Sequence, residues 1–235
     1  MRLGGRFLRA RVHNKSLAEQ VYRVLRRSIA SGRLKPGERI LEKLLARQLE
    51  ISRTPVREAL LKLERDGLVT CNSRRSYNVR VLSVADVKDI YATLSIIESA
   101  AVGLASVRIA SRDVQMLRNY NRQAERAARS GDLEGFGAAN RNFHGVFLSK
   151  LENRTLRDLC DSVRALLYTF PVRPNSLTKW LKKSVREHRE IIRLTEARDR
   201  KALESYFRDV HWSAEKNLSY IEDAYDRHWN TVVPV

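Results

Sequence analysis

Cysteine is scarce in this sequence, and long hydrophobic runs are missing from it. Cys71 and Cys160 are the only cysteines among 235 residues, too few for a disulfide framework or a cysteine-rich zinc site. No apolar stretch approaches the roughly 18 residues that a membrane-spanning helix needs, and the basic first 15 residues lack the continuous apolar segment of a secretory signal. These absences predict a cytoplasmic protein with reduced thiols and no membrane partner.

Motifs of common enzyme classes are missing as well. The chain has no glycine-rich phosphate-binding loop and no nucleophile elbow, and no carboxylate stands at a recognisable spacing from its histidines as a general base. We therefore expect no enzymatic activity. The catalytic alternative is a metal-dependent helical hydrolase built on the histidines described below.

Positive charge is abundant and unevenly distributed. The formal net charge is +18; residues 1–82 hold 20 Lys and Arg against seven Asp and Glu, whereas the remaining residues hold 25 against 20. A basic excess confined to one third of the chain is typical of a polyanion-binding module joined to a nearly balanced domain.

The basic third shows three helical segments followed by two short strands. Thr54 is a suitable N-cap for the third helix, because Pro55 already has the backbone φ that a first helical turn requires. The two strands flank a basic tip, as in a β-hairpin wing. The predicted elements are helices from Ser16 to Gly32, from about Glu42 to Leu49 and from Thr54 to Gly67, and strands at 68–71 and 77–82.

From Ser83 onward every periodic segment is helical, and Ser83-Val-Ala-Asp86 has the spacing of a capping box at the start of the first of these helices. Six helices are predicted, at 83–108, 111–129, 132–150, 155–170, 177–195 and 200–226. The fold class is therefore mainly α, an N-terminal winged helix-turn-helix followed by a C-terminal all-helical bundle. The expected organisation is a basic tail at 1–15, a DNA-binding domain at 16–82, a helical effector-binding and dimerisation domain at 83–226 and a tail at 227–235.

Residues suited to DNA contact lie at the start of the third helix. In a helix-turn-helix the second helix enters the major groove with its N-terminal residues near base edges, and arginine pairs bidentately with guanine. Lys43 should face the DNA backbone, and Arg74 and Arg75 at the hairpin tip should reach the minor groove. The candidate base-contacting residues are Ser52, Arg53, Thr54 and Arg57.

The turns and core positions of this module resemble those of the GntR family of bacterial regulators. The resemblance rests on Leu34-Lys-Pro-Gly37, on Ile51-Ser-Arg-Thr-Pro-Val-Arg-Glu-Ala-Leu60 and on Gly67-Leu-Val69. The helical remainder resembles the FadR-type effector domain, called FCD. The resemblance implies a transcription regulator of the bacterial nucleoid, a homodimer that binds a short palindrome in double-stranded DNA and senses a small carboxylic-acid-type metabolite.

One position in the helix-turn-helix departs from the family pattern. Glu50 stands where a glycine usually makes the turn, so the turn must form without a residue that readily adopts a positive φ. A sequence-independent nucleic-acid-binding protein remains the second alternative, although the ordered series from Ser52 to Arg57 argues against it.

The same resemblance makes a group of polar residues in the helical region a candidate effector pocket and metal site. Many FCD domains bind a divalent metal with one aspartate and three histidines, and the metal helps to hold a carboxylate ligand. The candidate metal ligands here are Asn140, His144, His188 and His211. The candidate groups for orienting an effector are the same four residues together with Arg164, Tyr168 and Arg173.

Three departures weaken the metal prediction. Asn140 replaces the aspartate, Leu94 stands where an arginine often lies, and His211 comes one residue after the matching position, Val210. On a regular α-helix one residue turns a side chain by about 100°; a π turn would restore His211, but the sequence does not demand one. The departures favour buried, hydrogen-bonded histidines beside a metal-free pocket, with a zinc or nickel site as the alternative.

Overall fold

The computed structural model describes residues 16–30, 33–72, 76–169 and 174–225. The chain divides into two compact units, Met1–Arg80 and Val81–Val235, which we call the N-terminal unit and the C-terminal unit. The proposed tails at 1–15 and 227–235 lie outside the described residues. Within the described residues, no helix is long and apolar enough to cross a membrane.

The N-terminal unit is a winged helix-turn-helix, as predicted. Helix α1 packs on α3, and the strands form an antiparallel sheet in the order β1-β3-β2. Ile29, Val56, Leu60 and Leu63 are fully buried between these elements. The elements are α1 (Leu17–Ala30), β1 (Arg39–Ile40), α2 (Glu42–Gln48), α3 (Arg53–Arg65), β2 (Val69–Cys71) and β3 (Tyr77–Val79).

The N-cap of helix α3 lies two residues earlier than the sequence predicted. Ser52, with φ −67° and ψ 162°, is the N-cap residue, so the assignment of Thr54 as the cap was wrong. Pro55 fits the first turn because the amides of that turn have no partner within the helix. The turn before α3 places Glu50 at φ 55°, a left-handed conformation that costs a non-glycine residue about 1 kcal/mol.

The C-terminal unit is helical throughout its described residues. The predicted capping box is confirmed at its start: the Asp86 amide donates to Ser83 Oγ at 3.1 Å, and the Ser83 amide donates to Asp86 Oδ2 at 2.9 Å. Helix α5 packs on α6 and α8, and α4 packs on α7 and α9. The helices are α4 (Val84–Ser106), α5 (Ser111–Ser130), α6 (Leu133–Leu148), α7 (Arg154–Thr169), α8 (Pro174–Glu196), α9 (Arg200–Tyr206) and α10 (Leu218–Tyr225).

The single helix predicted over 200–226 is wrong. Helix α9 runs into a π turn, Phe207–His211, and α10 starts only at Leu218. The Trp212 amide donates to the Phe207 carbonyl at 2.9 Å, a bond that spans five residues instead of four. The π turn absorbs one extra residue, so the direction of His211 differs from that on a regular helix.

Candidate DNA-binding surface and histidine cluster

The start of α3 presents its polar side chains to solvent. Ser52 and Thr54 are exposed, and the side chains of Arg53 and Arg57 are 67% and 51% exposed. Both arginines are four residues apart on the first turns of one helix, so they share a face. The structure therefore brings the predicted base-contacting residues together on one accessible surface.

A buried carboxylate at the start of α2 anchors both arginines. Arg53 Nη2 lies 3.0 Å from Glu42 Oε2, and Arg57 Nε lies 3.9 Å from Glu42 Oε1. Glu42 is only 7% exposed, whereas its neighbour Lys43 is exposed. The carboxylate thus orients two guanidinium groups that remain open to a ligand. The sequence analysis missed Glu42, because the pairing depends on the packing of α2 against α3.

The predicted wing is present at its base. The Asn72 amide donates to the Ser76 carbonyl at 2.9 Å, and the Ser76 amide donates to Asn72 Oδ1 at 3.0 Å. These bonds close the hairpin between β2 and β3. Arg74 and Arg75, the proposed minor-groove contacts, lie outside the described residues.

Three histidines from different elements meet in the interior of the C-terminal unit. His144 on α6, His188 on α8 and His211 on the π turn are 0%, 0% and 6% exposed. One nitrogen from each ring lies within 4.8 Å of the others. The Phe143 ring stacks on His188, with ring centroids 3.8 Å apart and planes 7° apart. The rotation of His211 away from the group, expected for a regular helix, does not occur because of the π turn.

Each of these rings is fixed through its Nδ1 atom by a side-chain oxygen. Carboxylate and amide oxygens accept hydrogen bonds, so Nδ1 carries the hydrogen and Nε2 keeps a lone pair. The Nε2 atoms of His144 and His188 are buried without a hydrogen-bond partner among the described residues. The Nδ1 contacts are His144 with Glu98 Oε1 at 2.6 Å, His188 with Asn121 Oδ1 at 3.2 Å and His211 with Glu187 Oε2 at 2.9 Å.

Burial keeps the rings of His144 and His188 neutral. It lowers the pKa of His144 to about 4, although the neighbouring Glu98 carboxylate acts in the opposite direction. The pKa of His188 lies well below its usual value, because of burial and the two neighbouring histidines. Neutral imidazoles with free Nε2 atoms and oxygen-bound Nδ1 atoms have the form that metal-binding histidines take in proteins. The donor set therefore fits a divalent metal, and the three histidines could form a metal site.

The positive charge of Arg164, the candidate arginine for orienting an effector, is already compensated by two carboxylates. Arg164 donates from Nη1 to Glu98 Oε1 at 2.9 Å and from Nη2 to Asp161 Oδ1 at 2.6 Å. Burial alone would raise the pKa of Glu98, but the Arg164 guanidinium and the His144 ring bring it down to about 2. Glu98 is therefore ionised, and its charge cancels the charge that Arg164 would offer to a carboxylate.

The remaining candidates can be placed only in part. Asn140 is buried on α6, one turn before His144, and Leu94 is fully buried on α4. The side chain of Tyr168 and the whole of Arg173 lie outside the described residues. Two carboxylates that the sequence spacing did not indicate, Glu98 and Glu187, contact the histidines.

Glu98 and Glu187 each carried a signal in the sequence that could have marked them as candidate site residues. Glu98 is an isolated acidic residue within the apolar stretch of α4, and such a residue is buried only when it is paired. Glu187 directly precedes His188. Neither signal identifies the partner, since each pairing joins residues that are distant along the chain.

Both units match models of known protein families. Residues 17–79 match the model described as bacterial regulatory proteins, gntR family, and residues 89–210 match the FCD domain. The uncharacterized HTH-type transcriptional regulator YdhC of Bacillus subtilis is 30% identical over 189 residues, which are 80% of this chain and 84% of that protein. The transcriptional repressor RspR of Escherichia coli is 28% identical over 79% of this chain and 82% of its own length.

Solved structures show the same fold. The structure of E. coli McbR/YncC has a TM-score of 0.68 and 24% identity, covering 88% of this chain and 97% of that one. A putative GntR regulator from Rhodococcus sp. RHA1 has a TM-score of 0.69 and 21% identity, covering 86% and 96%. The fold of this chain is thus one that solved structures share.

Proposed function

We propose a specific role for this chain, which belongs to the GntR family of bacterial transcriptional regulators and carries an FCD domain. It binds a short palindromic operator as a homodimer, and a small carboxylate held in the C-terminal unit changes its affinity for DNA. The observation that carries this proposal is the pair of exposed arginines at the start of α3, oriented by the buried carboxylate of Glu42.

The chemistry of the α3 surface suits sequence recognition. Arg53 and Arg57 offer two guanidinium groups on one helix face, and each can pair bidentately with guanine O6 and N7. Ser52 and Thr54 bond phosphate or base, and Lys43 contacts the phosphate backbone, which sets position but not sequence. Arg74 and Arg75 complete the surface through the minor groove.

Selection from a pool of random duplexes, followed by footprinting, tests the DNA-binding role in the full-length protein. We expect enrichment of a palindrome whose half-sites lie about one helical turn apart, as two symmetry-related recognition helices require. A protein that binds by charge alone would enrich no sequence and would protect random DNA equally at a given salt concentration. That result would contradict the proposal.

An exposed apolar stripe on α4 supports the homodimer. Ile96 and Leu104 on α4 and Val107, the residue just after its end, are 69%, 46% and 69% exposed, and they recur at helical spacing on one side of the helix. Large apolar side chains grouped on one exposed side of a helix are typical of a protein-protein interface, and we assign this stripe to contact with a second copy of the chain.

Sedimentation velocity tests that assignment. The double variant Ile96→Glu/Leu104→Glu should sediment as a monomer at concentrations where the unmodified protein is a dimer, because charges in an apolar interface stay unpaired. Met116→Glu, at an apolar residue on α5 that is 44% exposed, is the matched control and should stay dimeric. A monomeric unmodified protein, or a dimeric double variant, would overturn the assignment.

A carboxylate effector needs a source of positive charge other than Arg164. Glu98 and Asp161 already accept from that guanidinium, so we infer that a divalent metal, zinc or nickel, is held by His144, His188 and His211. A bound metal would supply the positive charge that attracts a carboxylate. The protein contributes the side-chain oxygens that orient the three rings and the aromatic residue Phe143 that stacks on one of them.

Metal analysis and thermal-shift screening test the effector role together. Protein purified without a polyhistidine tag should take up about one equivalent of zinc or nickel, since the site offers three nitrogen donors. Small carboxylates should then raise the melting temperature of metal-loaded protein, because a ligand of the folded state stabilises it. Equal stabilisation before and after chelation would show that the carboxylate does not depend on the metal.

Ligand control of DNA binding needs only a shift between existing arrangements. A ligand that binds one arrangement of the dimer more tightly shifts the population toward it. Two recognition helices must lie about one DNA turn apart to bind together, so a shift in their spacing changes the affinity. The experiment is an operator titration with and without the carboxylate found by the thermal-shift screen.

A further inference from the structure

A buried asparagine donates hydrogen bonds to the backbone around the π turn that brings His211 to the cluster. Asn217 is 1% exposed, and its Nδ2 donates to the Ser213 carbonyl at 2.8 Å and to the His211 carbonyl at 3.3 Å. A third, longer contact of 3.4 Å reaches the Val210 carbonyl. A π turn disturbs the regular bonding of the carbonyls around it, and here one amide group supplies them with a donor.

A lysine on α8 links this asparagine to the partner of the histidine. Lys183 Nζ donates to Asn217 Oδ1 at 2.7 Å and also to Glu187 Oε1. Glu187 Oε2 in turn accepts from His211 Nδ1 at 2.9 Å. The contacts therefore form a closed ring: Asn217 holds the backbone of His211, and Lys183 and Glu187 hold its side chain.

We propose that Asn217 and Lys183 are positioning residues that keep the His211 ring in the histidine cluster. Without the Asn217 amide, the extra residue of the π turn is no longer stabilised and the segment returns to a regular helix. That change rotates His211 by about 100° and removes its nitrogen from the cluster. The inference rests on the proposed function only where it concerns metal uptake.

Four variants of the full-length protein test this inference. Asn217→Ala removes both the amide donor and the oxygen acceptor of the asparagine. Asn217→Asp keeps an acceptor for Lys183 but loses the donor to the carbonyls, so it separates these two contributions. Lys183→Met removes the ammonium group and leaves Asn217 in place. Lys182→Met, at the adjacent exposed lysine, is the matched control.

Two measurements are made on each variant. The first is the imidazole ¹H–¹⁵N spectrum of metal-free protein, in which the Nδ1–H signal bonded to Glu187 is assigned with His211→Asn. The second is the zinc dissociation constant, obtained by competition with a chromophoric chelator. Circular dichroism establishes that each variant is folded.

We expect the His211 signal to disappear in Asn217→Ala, Asn217→Asp and Lys183→Met and to persist in Lys182→Met. Zinc should bind the first three variants about 10- to 100-fold more weakly, the range found when residues that orient metal ligands are replaced. If Asn217→Ala does not fold, Lys183→Met decides the outcome.

A retained signal together with unchanged zinc affinity in Asn217→Ala would overturn the proposal. A retained signal in Lys183→Met alone would remove the lysine from it. If the unmodified protein takes up no zinc but the signal is lost in the variants, the positioning role stands and the metal proposal falls. The two ideas therefore fail separately.

Discussion

Each unit contains an ion pair between an arginine and a glutamate, and the two pairs differ in their exposure to solvent. In the N-terminal unit Arg53 lies 3.0 Å from Glu42, and in the C-terminal unit Arg164 lies 2.9 Å from Glu98. The side chain of Arg53 is 67% exposed, whereas that of Arg164 is 3% exposed. The two distances are nearly equal, so exposure distinguishes the pairs: one holds an arginine at the surface, where we propose that it meets DNA, and the other compensates the charge of an arginine inside the fold.

The largest change in stability is expected when the buried pair of Arg164 and Glu98 is broken. Glu98→Ala should lower the free energy of unfolding by about 3–5 kcal/mol, because it leaves the buried guanidinium of Arg164 without its buried carboxylate partner. Tryptophan fluorescence during urea unfolding measures this, since all three tryptophans lie in the C-terminal half of the sequence. A loss below about 1 kcal/mol would mean that Asp161 alone satisfies Arg164.

The units should also differ in their response to acid. The folded C-terminal unit binds no proton at His144 until about pH 4, whereas the unfolded chain binds one near pH 6.5. The unfolded state therefore holds more protons between these values, and stability falls as the pH is lowered through this window, by about 3 kcal/mol. Glu98, with its pKa lowered to about 2, adds a further loss below about pH 4.5.

Unfolding followed by tryptophan fluorescence at several pH values checks this. No histidine occurs among the described residues of the N-terminal unit, so its unfolding, followed by hydrogen exchange, should vary less over the same range. His144→Gln should flatten the slope of the C-terminal unit. Equal stability of the unmodified unit at pH 7 and pH 4.5 would contradict the neutral, buried histidine.

The smallest effect is expected at the exposed pair. Glu42→Ala should lower stability by less than about 1 kcal/mol, because a pair with a solvated arginine contributes little. It should nevertheless reduce the ratio of operator affinity to random-duplex affinity, since Arg53 and Arg57 lose their common anchor. Glu58→Ala, at an exposed residue of α3, should leave that ratio unchanged. A loss of several kcal/mol of unfolding free energy in Glu42→Ala would show that this pair stabilises the fold as the buried pair does.

Local patterns explain what could be predicted from the sequence. The capping box at Ser83 and the exposed arginines of α3 follow from spacing along one helix, and both appear in the structure. The π turn at Phe207–His211 could not be predicted, because it depends on Asn217, six residues later, and on Lys183 from another helix. The roles of Glu42 and Glu98 likewise depend on contacts between elements, which periodicity does not encode.

The central claim is that the start of α3 recognises a DNA sequence, and one set of binding measurements tests it most directly. Dissociation constants are compared on the selected palindrome and on a random duplex for Arg57→Ala, for Lys43→Ala and for the exposed control Arg65→Ala at the end of α3. Arg57→Ala should cost about 1–3 kcal/mol on the palindrome and less on the random duplex, whereas Lys43→Ala should weaken both alike. Equal losses on both duplexes for Arg57→Ala, or no loss at all, would contradict the account.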